Sequence, residues 1–117
     1  MAGFREIKAY EKSYKSVIEI YEITKTFPRE ELYAMANQLR RSAMSIPLNI
    51  AEGYAKRESQ AEFKRFLMMA RGSCAETSVL LDFSRDLKYI SEEMHGELSE
   101  RYEVIAKMLH AYSDKLK

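Results

Sequence analysis

The segment LRRSAMSIPLNIAEG, residues 39–53, is the most informative part of this 117-residue chain for its fold. Small and apolar residues recur in it every three or four positions, at Leu39, Ala43, Ile46, Ile50 and Gly53. This spacing is the period of one helix face. Pro47 removes one backbone hydrogen bond and crowds the carbonyl four residues earlier. Because the apolar phase continues across Pro47, we predict one kinked helix; an end at Ile46 followed by a restart is the alternative.

The composition around this segment favours an all-α fold. The chain has only four Gly and two Pro, and β-rich domains depend on these residues for their turns. Its length fits one domain over residues 1–117. We predict helices over about 7–25, 28–56 with the kink near Pro47, 60–88 and 92–116. Short connections make successive helices antiparallel neighbours, which gives an up-down-up-down four-helix bundle.

Local signals indicate where the helices begin. Pro28 suits a first turn, where its missing N–H needs no partner, and Glu30 and Glu31 follow at the positive helix end. Ser59 opens a Ser-x-x-Glu capping box, and Ser91 is a candidate N-cap before the last helix. On the first helix the apolar stripe consists of Tyr10, Tyr14, Val17, Tyr21 and Thr24.

The third helix carries two neighbouring apolar stripes. A bundle helix covers its own core with a sector of about 100°, so the second stripe predicts a surface that another subunit buries. The residues assigned to this oligomer interface are Phe66, Met69, Ser73, Leu80, Phe83 and Leu87.

The formal net charge is only +1, but the charges are unevenly distributed. Residues 28–75 hold eight basic and five acidic residues, whereas residues 76–117 hold six basic and nine acidic residues. Basic residues on adjacent antiparallel helices can follow a phosphate backbone. The nucleic-acid-binding candidates are Arg40, Arg41, Lys56, Arg57, Lys64, Arg65 and Arg71.

A second interpretation is that these charges pair within the bundle. Antiparallel packing of the second and third helices would bring Arg41 level with Glu76, and Glu52 level with Lys64 and Arg65. Such pairs often fix helix register more than they add stability.

No enzymatic constellation is evident. His95 belongs to one Glu-x-x-His motif, and His110 lacks the matching Glu. The two histidines lie fifteen residues apart on one helix, which is roughly 22 Å and too far to share an ion. Cys74 has no sequence neighbour that would act as its base, and no phosphate-binding loop is present. We therefore predict no catalytic residue, no metal and no cofactor.

Cys74 and the absence of long apolar segments indicate the expected cellular compartment. A lone Cys74 cannot form an internal disulfide, and a free thiol fits a reducing compartment. No run approaches the roughly 18 apolar residues of a membrane span, and the charged N-terminus does not read as a signal peptide. The cytoplasm is the expected location, with no membrane association.

The motif Ser45-Ile46-Pro47-Leu48-Asn49-Ile50-Ala51-Glu52-Gly53 carries a family resemblance. Together with residues 38–43, 62–67 and 70–73, it resembles bacterial four-helix-bundle proteins encoded by intervening sequences in large-subunit ribosomal RNA genes, often labelled ribosomal-protein-like. The resemblance implies a ring, typically a homopentamer. The ribosomal label refers to where the genes were first found and does not imply binding to the ribosome.

The chain is more distantly similar to the accessory variability determinant of diversity-generating retroelements. Those accessory proteins are strongly basic pentamers that bind nucleic acid and a partner reverse transcriptase, whereas this chain is near neutral. The leading hypothesis is a non-enzymatic homo-oligomer that binds RNA, DNA or a nucleic-acid/protein partner. The alternative is a protein–protein interaction scaffold with no nucleic-acid binding.

Overall fold

A computed structural model describes residues 3–116, which form four α-helices joined by short connections. The helices are α1 (Lys8–Thr24), α2 (Met35–Ala55), α3 (Gln60–Asp86) and α4 (Glu92–Asp114), and the described range contains no strand. Helix α2 packs between α1 and α3, and α3 packs between α2 and α4. The bundle measures 44 × 23 × 22 Å, and the predicted all-α four-helix bundle is confirmed.

The second helix begins at Met35, so the predicted start at residue 28 is wrong. Pro28 adopts an extended conformation and precedes a single 3₁₀ turn, Arg29–Glu31. The Glu31 carboxylate accepts a hydrogen bond from the Met35 backbone N–H (3.2 Å) and another from the Tyr89 hydroxyl (2.8 Å). Glu31 therefore stabilises the start of α2 from outside the helix, and this contact ties the α1–α2 connection to the α3–α4 connection.

The other helix signals agree with the structure. Helix α2 continues through Pro47, and the kink expected there stays a prediction. The Asn49 side chain donates to the Ser45 carbonyl (2.8 Å) in the same region. The Ser59 and Ser91 hydroxyls accept hydrogen bonds from backbone N–H groups three residues later (3.2 and 3.0 Å), so both predicted N-caps are confirmed.

The buried face of α1 overlaps its predicted stripe only in part: Thr24 is buried, and Tyr10 and Val17 pack against the edge of the core. The buried residues of α1 are Ala9, Ser13, Ser16, Ile20 and Thr24. Tyr14 is 54% exposed, whereas Tyr102 of α4 is buried beside Ser16. The small Ser16 side chain leaves room for that ring, so Tyr102 of α4 fills the core there, while Tyr14 lies at the surface and Tyr10 packs against the edge of the core.

Helices α2 and α3 approach closely through small residues. A Cβ atom at Gly53 would lie 2.7 Å from the Phe66 Cβ, closer than atoms pack in proteins. Farther along the same contact, the Thr77 hydroxyl donates to the Ser42 hydroxyl (2.9 Å), and the Ser45 hydroxyl donates to Ser73. Gly53 is therefore required for packing, and the paired hydroxyls fix the register of the two helices.

This packing predicts opposite effects for two glycine substitutions. In an open helix position, Gly72→Ala should raise the free energy of unfolding by about 0.5–1 kcal/mol, because alanine loses less backbone entropy on folding and its Cβ meets no atom within 4 Å. Gly53→Ala should lower it by about 1–3 kcal/mol, because the new methyl group overpacks the contact with Phe66. Urea denaturation followed by circular dichroism measures both.

The matched pair separates packing from helix propensity. Equal stabilisation by both substitutions would contradict the close approach of α2 and α3.

Candidate nucleic-acid interface at the basic end

Charge in the folded chain is separated along the bundle axis. We define the basic end as the end where α2 leads into α3, together with the start of α1 and the end of α4. Residues 3–18, 47–71 and 103–116, which lie in this half, hold eleven basic and seven acidic residues. Residues 19–46 and 72–102, the acidic end, hold seven basic and eleven acidic residues. A chain near neutrality thus carries two oppositely charged ends.

Five of the seven predicted nucleic-acid-binding residues lie at the basic end, and four of these surround the α2–α3 turn. The four are Lys56, Arg57, Lys64 and Arg65. The Arg57 guanidinium carbon lies 4.1 Å from the centre of the Tyr54 ring. Cations stacked on aromatic rings keep their charge while their stems are held in place, so Arg57 is a positioned cation.

Two of these cations also contact carboxylates. Lys56 lies 3.8 Å from a Glu52 oxygen, and Arg65 makes two hydrogen bonds to Glu62 (3.1 and 3.2 Å). The hydrogen bond from Arg65 lowers the pKa of Glu62. Glu52 lies close enough to Arg65 for their charges to interact, but the predicted ion pairs of Glu52 with Lys64 and Arg65 are not formed in the described chain, because Glu52 pairs with Lys56 and Arg65 pairs with Glu62. Exposed pairs of this kind are weak and leave the cations accessible to phosphate.

The other three predicted residues lie away from the α2–α3 turn, Arg40 and Arg41 in the acidic half and Arg71 at the margin of the basic half, so the seven do not form one surface. Arg40 donates through Nε to the Thr24 hydroxyl (2.8 Å) and lies over the Tyr21 ring. Arg41 is exposed and, in the described chain, forms no ion pair with Glu76; it lies roughly 22 Å along α2 from Lys56. Arg71 lines an open groove between α3 and α4.

A recess at the basic end was not predicted from the sequence. It has a volume of about 500 Å³, and its lining includes Lys8, Tyr54, Tyr112 and Lys115. Both tyrosine rings pack on Phe63, with ring centres 6.1 and 5.4 Å apart. Burial raises the pKa of the Tyr112 hydroxyl above its ordinary value. Two rings flanked by lysines suit the stacking of a base beside its phosphate.

The sequence contains little local signal for this recess, because its cations come from opposite termini of the chain. Lys8 and Lys115 become neighbours only once the up-down-up-down order brings the start of α1 beside the end of α4.

The predicted oligomer interface divides in two. Phe66 and Leu80 are only 4% and 7% exposed in the single chain, so these two side chains belong to the interior and form no part of an exposed surface. Ser73 is half-buried against Ser45. Met69, Phe83 and Leu87 are 43%, 52% and 52% exposed and lie on the outer face of α3.

His95 lies in the groove between α3 and α4, where its side chain contacts Asp82 and Ser99 (2.7 and 3.3 Å). Within residues 3–116, no group of three or more His, Cys, Asp or Glu side chains is arranged to hold a metal ion. Burial raises the pKa of the Cys74 thiol to about 12.

Comparison with known proteins places the chain in a family. The profile of the 23S rRNA-intervening sequence protein family matches residues 5–111. The chain belongs to this family. It is similar to the crystal structure of a protein of unknown function from the S23 ribosomal protein family of Bacteroides thetaiotaomicron VPI-5482, with a TM-score of 0.83 and 26% identity. The alignment covers 92% of this chain and 96% of the other.

No curated protein matches the chain. None of the helices in the described range has the length and apolar character needed to cross a bilayer.

The environment of Cys74 predicts an unreactive thiol in this family member. The thiolate is the nucleophile, and a pKa of about 12 leaves almost none of it at neutral pH. A disulfide exchange reagent such as Ellman's reagent should modify the native protein at least a hundredfold more slowly than the protein unfolded in guanidinium chloride. Comparable rates in the two states would contradict the buried position of Cys74.

Proposed function

We propose that this protein is a non-enzymatic, cytoplasmic, ring-forming helical protein that binds RNA, DNA or a nucleic-acid/protein partner through its basic end. The family resemblance suggests a homopentamer. The observation that carries the proposal is the separation of charge along the bundle, with eleven basic and seven acidic residues in one half and the reverse in the other. This placement refines the surface expected from helices α2 and α3 by adding the start of α1 and the end of α4.

The charge separation matters because nucleic-acid affinity depends on local charge more than on net charge. Lysine and arginine side chains that neutralise phosphates release condensed counterions, and this release supplies much of the binding free energy. Lys8, Arg57 and Lys115 surround the tyrosine-lined recess. The acidic end repels the same polyanion, so the charge separation orients the protein on its ligand.

Ring assembly would strengthen the binding of phosphates by the basic ends. In a cyclic ring whose bundles point in the same direction along the symmetry axis, every basic end lies on one face. Several weak phosphate sites on one face then act together, because the first contact raises the effective concentration at the others. A single near-neutral subunit can in this way contribute to a strongly basic ring face.

A matched pair of triple variants tests this function. Replacing Lys8, Arg57 and Lys115 by glutamine removes three charges from the basic end, and replacing Lys25, Arg29 and Lys88 by glutamine removes three from the acidic end. The first variant should lose at least tenfold in affinity for a single-stranded RNA or DNA oligomer, and the slope of log affinity against log salt should fall by about 2 to 3. The second should bind like the wild type. Fluorescence anisotropy at low and near-physiological salt measures both.

Each variant must keep the helicity and mass of the wild type for the comparison to hold. An equal loss of affinity in the two variants would contradict a site at the basic end.

The alternative function is a protein–protein scaffold without nucleic-acid binding. The observation in its favour is that Lys56 and Arg65 already contact carboxylates and lie over the Phe66 ring. Absence of binding by the wild type at either salt concentration would favour the scaffold.

A further inference from the structure

An apolar groove runs between α1 and α2 on the outside of the bundle. It has a volume of about 510 Å³, and its floor includes Tyr14, Ile18, Tyr21, Met44, Pro47 and Leu48. Ile18 is 52% exposed and Leu48 is 61% exposed. Exposed apolar surfaces of this size, rimmed by polar groups, are typical of protein interaction sites, and tyrosines are enriched in such sites.

The rim of the groove is positively charged. In the described chain, three cations beside the groove form no ion pair with a carboxylate: Arg5 over the Phe4 ring, Lys15 next to Tyr14, and Arg40 over the Tyr21 ring. Of the nearby carboxylates, Glu22 pairs with Lys25 and Glu52 pairs with Lys56, which leaves Glu11 unpaired. The groove therefore suits an apolar segment with acidic flanks.

This chain carries a segment of that kind on α3. Val79, Phe83 and Leu87 follow each other at intervals of four residues, so they form one ridge along the helix. Each is 51–52% exposed. The charged residues of α3 and its end between positions 76 and 88 are three acidic, Glu76, Asp82 and Asp86, and two basic, Arg85 and Lys88, and the ridge lies in the half of the bundle that holds seven basic and eleven acidic residues. An apolar ridge with acidic neighbours is thus present on a different face from the groove.

We propose that the α1–α2 groove of one chain receives the α3 ridge of a second copy. Two observations support the second copy as the occupant: the concave and convex apolar surfaces match in character, and their surrounding charges are opposite. The two surfaces are different parts of the chain, so the contact is heterologous, and repetition of it generates a closed ring or an open filament. This inference rests on the oligomer in the proposed function and specifies which surfaces meet.

A complementation experiment distinguishes this contact from a symmetric one. Leu48→Glu places a charge in the groove, and Phe83→Glu places a charge on the ridge. Light scattering should give each variant alone a lower molar mass than the wild-type oligomer, because every subunit then lacks one of the two surfaces that form the contact. Mixed in equal amounts, the two should form a one-to-one heterodimer, because the intact ridge of the first fits the intact groove of the second.

Controls keep the result interpretable. Met68→Glu alters another exposed side chain of α3, 65% exposed, which lines the groove between α3 and α4; this variant should assemble like the wild type. Circular dichroism must show that each variant keeps its helicity. If Phe83→Glu unfolds the chain, the milder Leu87→Ser serves as the ridge variant.

The possible outcomes separate the two proposals. An oligomer that survives Leu48→Glu, or a mixture that forms no heterodimer, would overturn the pairing of groove and ridge while leaving the oligomer of the proposed function intact. A monomeric wild type at all concentrations would overturn both the ring and this pairing. Nucleic-acid binding by the same variants is measured separately by anisotropy, so its loss or retention bears only on the basic end.

Discussion

The close approach of α2 and α3 is the constraint on which the rest of the structure depends. Gly53 lets the backbone of α2 pass within van der Waals contact of Phe66, and two hydroxyl pairs, Ser42 with Thr77 and Ser45 with Ser73, fix the register. Because the turn at residues 56–59 is short, that register also sets which charges meet at the end of the bundle. The basic end is thus a consequence of small-residue packing at the centre.

Periodicity and capping chemistry are sufficient to predict most of the helices. Ser59 and Ser91 act locally, through hydrogen bonds three residues away, and the apolar phase across Pro47 is a property of α2 alone. The start of α2 is different, because Glu31 is fixed partly by Tyr89, which lies 58 residues away. The inward face of α1 also depends on a distant residue, because Tyr102 of α4 fills the space beside the buried Ser16. Tertiary contacts decide both features, and local patterns do not contain them.

The candidate surfaces likewise combine features that local sequence patterns predict with features that only tertiary contacts determine. The sequence shows that charges are uneven, but their sorting into two ends requires the antiparallel order of four helices. Lys8 and Lys115 meet at one recess, while Arg41 and Lys56 of the same helix are separated along its length. Likewise Phe66 and Phe83 belong to one apolar stripe in sequence, yet packing against Gly53 buries the first and leaves the second exposed. A stripe wider than one helix face indicates that the helix has more apolar residues than its own core can bury. Only the packing of the helices decides which of these residues stay exposed.

The central functional claim is that a polyanion contacts the basic end. Ultraviolet cross-linking of a bound single-stranded RNA to the wild-type protein, followed by mass spectrometry of the cross-linked peptides, tests this claim most directly. We expect cross-links at Tyr54 and Tyr112, whose rings line the recess between Lys8 and Lys115. Cross-links confined to residues 82–97, at the acidic end, would contradict the account.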